Sequence, residues 1–292
     1  MSSAAKRLRD LFDKPGLIVT PCCHDALSMR LIEQAGFDVA FMSGFGVAAT
    51  RFDLPDTGLI SYAEVLDQGR NICTTTTLPV FGDGDTGYGN ALNVKRTVKG
   101  FAKAGFAAIM IEDQVSPKRC GHTKGKQVVS RDEAFMRIHA VVDARRELQA
   151  DGFDIVILGR TDARTTDGLD EAIDRVKGYE EIGADMVFLE APTNTDEMQA
   201  FTSAVSVPTL ANMLDGGSTP ILSPPELEQL GFKFAAYPLT LHLAMIPAME
   251  KALNDLNNGQ LPNQGVTFQH LQKVAGFPEY YEMEKRYKDS DQ

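Results

Sequence analysis

Short apolar or β-branched runs recur along the chain, separated by segments with helical spacing. The runs fall at residues 17–20, 38–42, 79–81, 107–111, 154–158, 185–189, 209–211 and 233–236. Between two of them, Phe135, Ile138, Val142 and Leu148 lie on or near one face of a helix predicted over residues 131–149. Gly36, Gly105, Gly183 and Gly231 each sit just before a run, where the glycine that ends a helix belongs. Alternating strand and helix predicts a parallel sheet with helices packed on it. Eight such units in one chain predict a closed α/β structure, a (β/α)8 TIM-type barrel. An open doubly wound sheet is the alternative, but no Gly-x-Gly-x-x-Gly follows the first run.

The pattern changes after Thr240. Residues 241–257 read as one long helix, and Asn258, Gly259, Pro262, Asn263 and Gly265 then break the chain. Residues 266–287 predict one or two more helices, with Phe268, Leu271, Phe277, Tyr280, Tyr281 and Tyr287 supplying aromatic surface. The expected organisation is a barrel over residues 1–240 that carries the active site. Residues 241–292 are expected as C-terminal helices of the same domain, capping the barrel or making a subunit contact.

Composition narrows the function classes. The 292 residues are 43% hydrophobic and 24% charged, with net charge -11. The first two figures are ordinary for a globular chain. The third argues against general binding to nucleic acid or anionic membrane. No stretch of eighteen apolar residues is present, so no membrane-spanning helix is expected. Cys22 and Cys23 are neighbours, and four cysteines in all do not make a disulfide framework, which fits a reducing compartment. Residues 1–16 have mixed charge and no apolar run, unlike a secretory signal. The expectation is a soluble, cytoplasmic protein.

Against the acidic background, residues 118–126 read Lys-Arg-Cys-Gly-His-Thr-Lys-Gly-Lys. Four formal positive charges, Cys120 and His122 fall within these nine residues. Gly121 and Gly125 favour a loop. A thiol among cations ionises readily and is reactive; the plain alternative is a solvated basic turn. The run just before this loop ends in Glu112 and Asp113. In an α/β barrel the active site forms where the strands end, and nearly every predicted strand here delivers polar groups there. In chain order these are Ser43 with Gly44 and Gly46, Asp83 and Asp85, Glu112 and Asp113, Arg160 with Thr161 and Asp162, Glu190, Asn212, and Tyr237 with Pro238.

Asp83, Asp85 and Glu112 are hard oxygen ligands on neighbouring strands. Crowded carboxylates without a cation repel, and some must protonate. A Mg2+ ion, or Mn2+ in its place, relieves this by taking one or two carboxylates, waters and substrate oxygens. Zinc fits less well, since no histidine pair has ligand spacing. A helix N-cap and turn is the plainer reading of Asp83 and Asp85. Gly82, Gly84, Gly87 and Gly89 allow close backbone approach, but no Gly-Lys-Ser/Thr follows, so this is not a phosphate loop. Arg160 ends a buried strand, where an unpaired guanidinium is costly. It pairs with Glu190, clamps a substrate carboxylate, or does both.

At these residues the sequence resembles the isocitrate lyase / phosphoenolpyruvate mutase superfamily over nearly its whole length. Lys-Arg-Cys-Gly-His (118–122) resembles the signature of the carbon–carbon lyases in that superfamily. Gly-Asp-Gly-Asp-Thr-Gly-Tyr-Gly (82–89), Ile-Glu-Asp-Gln (111–114), Gly-Arg-Thr-Asp-Ala (159–163) and Leu-Pro-Asp-Thr-Gly (54–58) support it. The branch is that of the methylisocitrate lyases, dimethylmalate lyases and petal-death-protein-like enzymes. The resemblance implies that Asp85 approaches magnesium directly, that Asp83 and Glu112 hold its waters, and that Asp56 supports that shell. It implies that Ser43, Gly44 and Phe45 bind the keto or hydroxy acid end, and that Arg160 holds a carboxylate and the reacting oxygen. Gly121, His122 and Asn212 are implied for the distal carboxylate, with Glu190 orienting its neighbours. Cys120 is implied as proton donor on a loop, bearing Lys118, that closes over substrate. A homotetramer that exchanges C-terminal helices is implied as well.

The expected activity is therefore a magnesium-dependent cleavage of a 2-hydroxy di- or tricarboxylic acid, a substituted malate or a 2-methylisocitrate-like acid. The products are a 2-oxo acid and a carboxylic acid, formed through an enediolate that Cys120 protonates. The small 2-hydroxy or 2-oxo acid is the expected partner, with no nucleic acid and no membrane. The alternatives within the superfamily are an oxaloacetate hydrolase or decarboxylase and a phosphonopyruvate-processing enzyme. Phe41 stands where the isocitrate and methylisocitrate lyases carry a tyrosine, and 43–46 reads Ser-Gly-Phe-Gly. Both departures favour a smaller or different diacid over methylisocitrate. Pro238, where oxaloacetate acetylhydrolases tend to have serine, counts against that hydrolysis.

Overall fold

The computed structural model describes residues 3–121, 125–263 and 265–288. Eight parallel strands close into a barrel in chain order, the TIM-type architecture expected from the pattern. They are β1 (Ile18–Cys23), β2 (Ala40–Met42), β3 (Val80–Asp83), β4 (Ala108–Glu112), β5 (Val156–Thr161), β6 (Met186–Leu189), β7 (Thr209–Asn212) and β8 (Phe234–Tyr237). Closure is by β1 on β8, with Ile18 opposite Phe234 and Thr20 opposite Ala236. Gly105 and Gly183 end the helices Ala91–Ala104 and Leu169–Ile182 in the left-handed conformation, where a side chain would be strained. The helix predicted over 131–149 is Arg131–Ala150.

Period-2 alternation on each strand sorts the barrel into layers. Ile18, Phe41, Phe81, Ala108, Val156, Met186, Leu210 and Phe234 belong to one buried apolar cluster with Cys22, Met110, Leu158 and Phe188. Phe81 stacks on Phe41 and meets Phe234 edge-on, with centroids 5.5 and 5.7 Å apart. Ala5 and Leu8, from the helix Ala4–Asp10, join the same cluster, and Phe12 meets Phe234 edge-on. That helix therefore plugs the end where the strands begin. Residues 1–16 carry no apolar run, yet Ala4, Ala5, Leu8, Leu11 and Phe12 lie in or against the core.

One step further along each strand the same inward parity reaches Asp83, Glu112, Arg160, Glu190 and Asn212. The sequence places most of these just past predicted strand ends. Instead, β3, β4, β5 and β7 extend to include Asp83, Glu112, Arg160 and Asn212. Their positions are thus set by the pleat and the hydrogen-bonded register, in which Glu112 lies opposite Arg160. A site on regular strands is held more closely than one on loops.

Residues 1–240 form one compact unit and residues 241–292 a second. Within the second, the helices are Phe268–Val274 and Phe277–Lys288, after the helix Thr240–Asn257 that starts at its edge. Leu253, Leu256, Phe268, Leu271, Tyr280 and Tyr287 are exposed there. No helix of the described residues is long and apolar enough to cross a membrane.

Candidate active site

The cavity at the strand ends has two adjoining parts that share Ser43, Asp83, Arg160, Asn212 and Pro238. The inner part is floored by Cys22, Phe41, Met110, Phe188, Leu210 and Ala236. The outer part is walled by Phe45, Asp56, Lys118, Cys120, Gly121 and Glu190. Nearly all of the residues expected from sequence therefore line one space. Asp85 and Glu112 enter it through their charged partners. His122 lies outside the described residues.

The acidic wall is assembled by backbone contacts. Ser43 caps the helix Gly44–Phe52, its Oγ accepting from the Gly46 N–H at 3.1 Å. The Gly44 N–H donates to Asp83 Oδ2 at 3.2 Å, and the Asp85 N–H to Asp83 Oδ1 at 3.1 Å. A Cβ on Gly44 would sit 2.5 Å from Asp83 Oδ2, so only glycine lets the two strand ends approach this closely. The plainer reading of a helix N-cap and turn holds in part for Asp83, whose oxygens accept from the Asp85 N–H and from the first N–H of the helix Gly44–Phe52. Neither aspartate caps the next helix, Ala91–Ala104, which Asn90 caps. Asp85 instead occupies the left-handed region at φ 46°, a costly conformation for a residue with a side chain.

Lys118 reaches into this wall. Its ammonium is buried, bonded to Asp56 and 3.0 Å from Asp85 Oδ1. Against the opposing effect of burial, the charges of Asp85 and Asp56 hold Lys118 well above its ordinary pKa. Burial pushes Asp85 up to about 6, although Lys118 acts in the other direction. Lys118, at the start of the basic loop, is thus not a solvated charge. Its ammonium neutralises carboxylates that burial would otherwise leave at high cost.

Arg160 is the second centre. Its Nε and Nη2 donate to Asp162 at 2.8 and 3.1 Å. It also lies 3.3 Å from Glu112 Oε2 and 3.1 Å from Glu190 Oε2, with the guanidinium over the Phe188 ring. Both readings of Arg160 thus remain compatible, since it pairs with Glu190 and also lines the cavity. Asn212 Nδ2 donates to Glu190 Oε2 at 3.2 Å. Gly121 packs on the Arg160–Glu190 pair, where a Cβ would meet Glu190 Oε2 at 2.5 Å and Arg160 Nη2 at 2.6 Å.

The donor set fits a hard divalent cation. Asp56, Asp83, Asp85 and Glu112 concentrate negative charge, and Glu112 Oε1 is buried with no hydrogen-bond partner. Burial, opposed by Arg160 and reinforced by Asp162, pushes Glu112 well up. An orphaned oxygen beside crowded carboxylates is what a cation or its water would satisfy. Among the described residues, no three His, Cys, Asp or Glu side chains converge as a closed ligand cluster. Magnesium does not require such a cluster, since it keeps several waters and takes one or two carboxylates directly.

Two of the strand-end residues, Asp162 and Asp113, have no role legible in the sequence. Asp162 was visible only as a strand-end residue, yet it is fully buried between Arg160 and Lys126, whose Nζ lies 2.9 Å from Asp162 Oδ1. Against burial, Arg160 and then Lys126 hold Asp162 below the ordinary carboxylate range. Asp113, next to Glu112, has the opposite parity and faces the helix Leu169–Ile182. It accepts from Thr161 Oγ1 at 2.6 Å, Arg175 Nη1 at 3.0 Å and the Tyr179 hydroxyl at 3.1 Å. Its other oxygen accepts from the Asp162 N–H at 2.9 Å. Alternation along β4 is the signal that separates the roles of Glu112 and Asp113.

A family model described as phosphoenolpyruvate phosphomutase matches residues 8–257. The chain is 39% identical over 291 residues to the 2,3-dimethylmalate lyase of Eubacterium barkeri, covering 98% of this chain and 99% of that one. It is 40% identical over 278 residues to the probable 2-methylisocitrate lyase 2 of Corynebacterium glutamicum, covering 95% and 89%. Among solved structures, an oxaloacetate acetylhydrolase in complex with the inhibitor 3,3-difluorooxalacetate superposes with a TM-score of 0.92 at 33% identity, covering 98% and 97%.

Proposed function

The chain belongs to the phosphoenolpyruvate phosphomutase family and is a carbon–carbon lyase of it, and from this we propose that it cleaves a substituted malate or a related 2-hydroxy acid. The observation that carries the reading is one cavity that brings Cys120 and Gly121 against Arg160, Glu190, Asn212, Ser43 and Asp83. A thiol that can give a proton faces a guanidinium that can hold a carboxylate.

The reaction begins with loss of the substrate's hydroxyl proton to a base. The oxygen's electron pair then forms the carbonyl of the 2-oxo acid as the adjacent C–C bond breaks. The electrons of that bond go to the second fragment, which leaves as the enediolate of a carboxylic acid. When magnesium is bound, Asp85 with Asp83 and Glu112 would hold it, and it would supply electrostatic stabilisation of the oxygens at the hydroxy acid end. Ser43 and the backbone at Gly44 and Phe45 orient that end. Arg160, Asn212 and Gly121 hold the distal carboxylate, where charge develops. Cys120 Sγ–H then protonates the enediolate carbon and completes the carboxylic acid. Before the next turn the base releases the hydroxyl proton to solvent and the thiolate takes one up.

The floor of Phe41, Phe188, Leu210 and Ala236 is apolar. It suits an alkyl substituent better than a third carboxylate, which would be desolvated there without a partner. We therefore favour a substituted malate over 2-methylisocitrate. The test is incubation with magnesium and a panel of malates, citrates and oxaloacetate. Pyruvate or another 2-oxo acid released from one hydroxy acid, and lost on adding EDTA, is the expected result. Oxalate released from oxaloacetate, with no cleavage of any hydroxy acid, would replace this reading by the hydrolase one. We propose further that the enzyme is a cytoplasmic homotetramer using the exposed apolar side chains of residues 241–288; light scattering that reports a monomer would refute the assembly.

A further inference from the structure

We propose that Asp162 is a positioning residue that ties the segment carrying Cys120 to the guanidinium of Arg160. One buried carboxylate makes both connections. Its two oxygens accept from Arg160 Nε and Nη2 at 2.8 and 3.1 Å. Asp162 Oδ1 also accepts from Lys126 Nζ at 2.9 Å. The same Nζ donates to the carbonyl of Gly121, the residue after Cys120.

The arrangement is costly enough to need a reason. The Lys126 side chain is 4% exposed and that of Asp162 is 0% exposed, so both charges are withdrawn from water. An exposed pair on the rim would order little and cost little. Buried, the pair is worth having only where its geometry is used. Asp162 is itself fixed from behind, its N–H held by Asp113 at 2.9 Å. Gly121 meanwhile rests on Arg160 and Glu190 with no room for a Cβ. A displacement of Asp162 therefore moves the guanidinium and frees the lysine that holds Gly121. Neither Asp162 nor Lys126 lines the cavity, so each acts through another group rather than on substrate.

The inference rests on the lyase reading only for its consequence in turnover; the coupling itself can be measured without turnover. The experiment uses the full chain and follows alkylation of Cys120 by iodoacetamide, resolved by peptide mass mapping. Cys23, fully buried and outside the cavity, reports global unfolding in the same digest. D162N and K126M should each raise the Cys120 rate roughly tenfold, the size expected for losing one charge-assisted hydrogen bond. The double variant should be no faster than either single one, because both break the same tie. In D162N alone, binding of oxalate, read by calorimetry with magnesium present, should also weaken, since Arg160 is released. A wild-type Cys120 rate in K126M, or rates that multiply in the double variant, would overturn the proposal. Loss of substrate cleavage in the native protein would sink the lyase reading and leave the alkylation result standing.

Discussion

The two ends of the barrel are built from the same eight strands by opposite means. Where the strands begin, inward positions carry Phe81, Val156, Met186 and Phe234, and Leu8 closes the layer from outside the sheet. Where they end, the same parity carries Asp83, Glu112, Arg160, Glu190 and Asn212. Burial at the first end removes apolar surface from water, at about 25 cal/mol per Å². Burial at the second end removes charges, which repays nothing unless they are paired or used. The fold thus gains its stability at one end and spends some of it at the other, where the chemistry is.

The largest expected effect lies at the charged end. C120S keeps the shape of the side chain but makes it a far weaker acid. It should lower turnover about 10²–10⁴-fold, the range for loss of a positioned acid, with magnesium affinity unchanged by calorimetry. Turnover within a few fold of the native enzyme would remove Cys120 from the mechanism. At the apolar end, F234A should cost about 3–5 kcal/mol of stability in urea unfolding. Phe234 is fully buried and meets both Phe12 and Phe81. KM should hold below the transition, because the polar layer is at the other end of the strands. A raised KM with little loss of stability would show the two ends to be coupled.

E112Q sharpens the comparison, since it acts on both quantities. Glu112 Oε1 has no partner, and its carboxylate sits among other buried carboxylates. The neutral amide should raise metal-free stability by about 1 kcal/mol while turnover falls. A destabilised variant would mean that the 3.3 Å contact with Arg160 outweighs the cost of the buried charge.

Much of this contrast is legible in the sequence. Eight runs, four of them preceded by a helix-ending glycine, mark the strands, and polar residues near the ends of most runs collect at one rim. What the sequence conceals is pairing across long separations. Lys118 and Asp56, 62 residues apart, meet only because the barrel brings their loops together, so the basic loop gives no sign of which cations are consumed. Lys126 and Asp162 are hidden for the same reason. The plug made by Leu8 and Phe12 is hidden differently: a seven-residue helix and the turn after it are too short for periodicity to register. Asp113 was readable by alternation alone, since a one-residue step along a strand reverses the face.

Charge pairs far from the rim should behave quite differently. On neighbouring outer helices, Lys95 and Lys99 lie 2.5 and 2.6 Å from Glu147. Hydrogen bonds from Lys95 and then Lys99 depress the Glu147 carboxyl to about 2. A carboxylate whose folded pKa lies below its unfolded value contributes stability above the unfolded value, near 4.5, and loses it as pH falls toward 2. The Tm difference between the native protein and E147Q should therefore be small at neutral pH, close as the pH falls between those values, and shrink in about 1 M salt. Activity should not change. A difference that persists at low pH or in high salt would mean that Glu147 acts through packing. In that case its charge could not be set against those at the rim, which salt reaches poorly because they are buried.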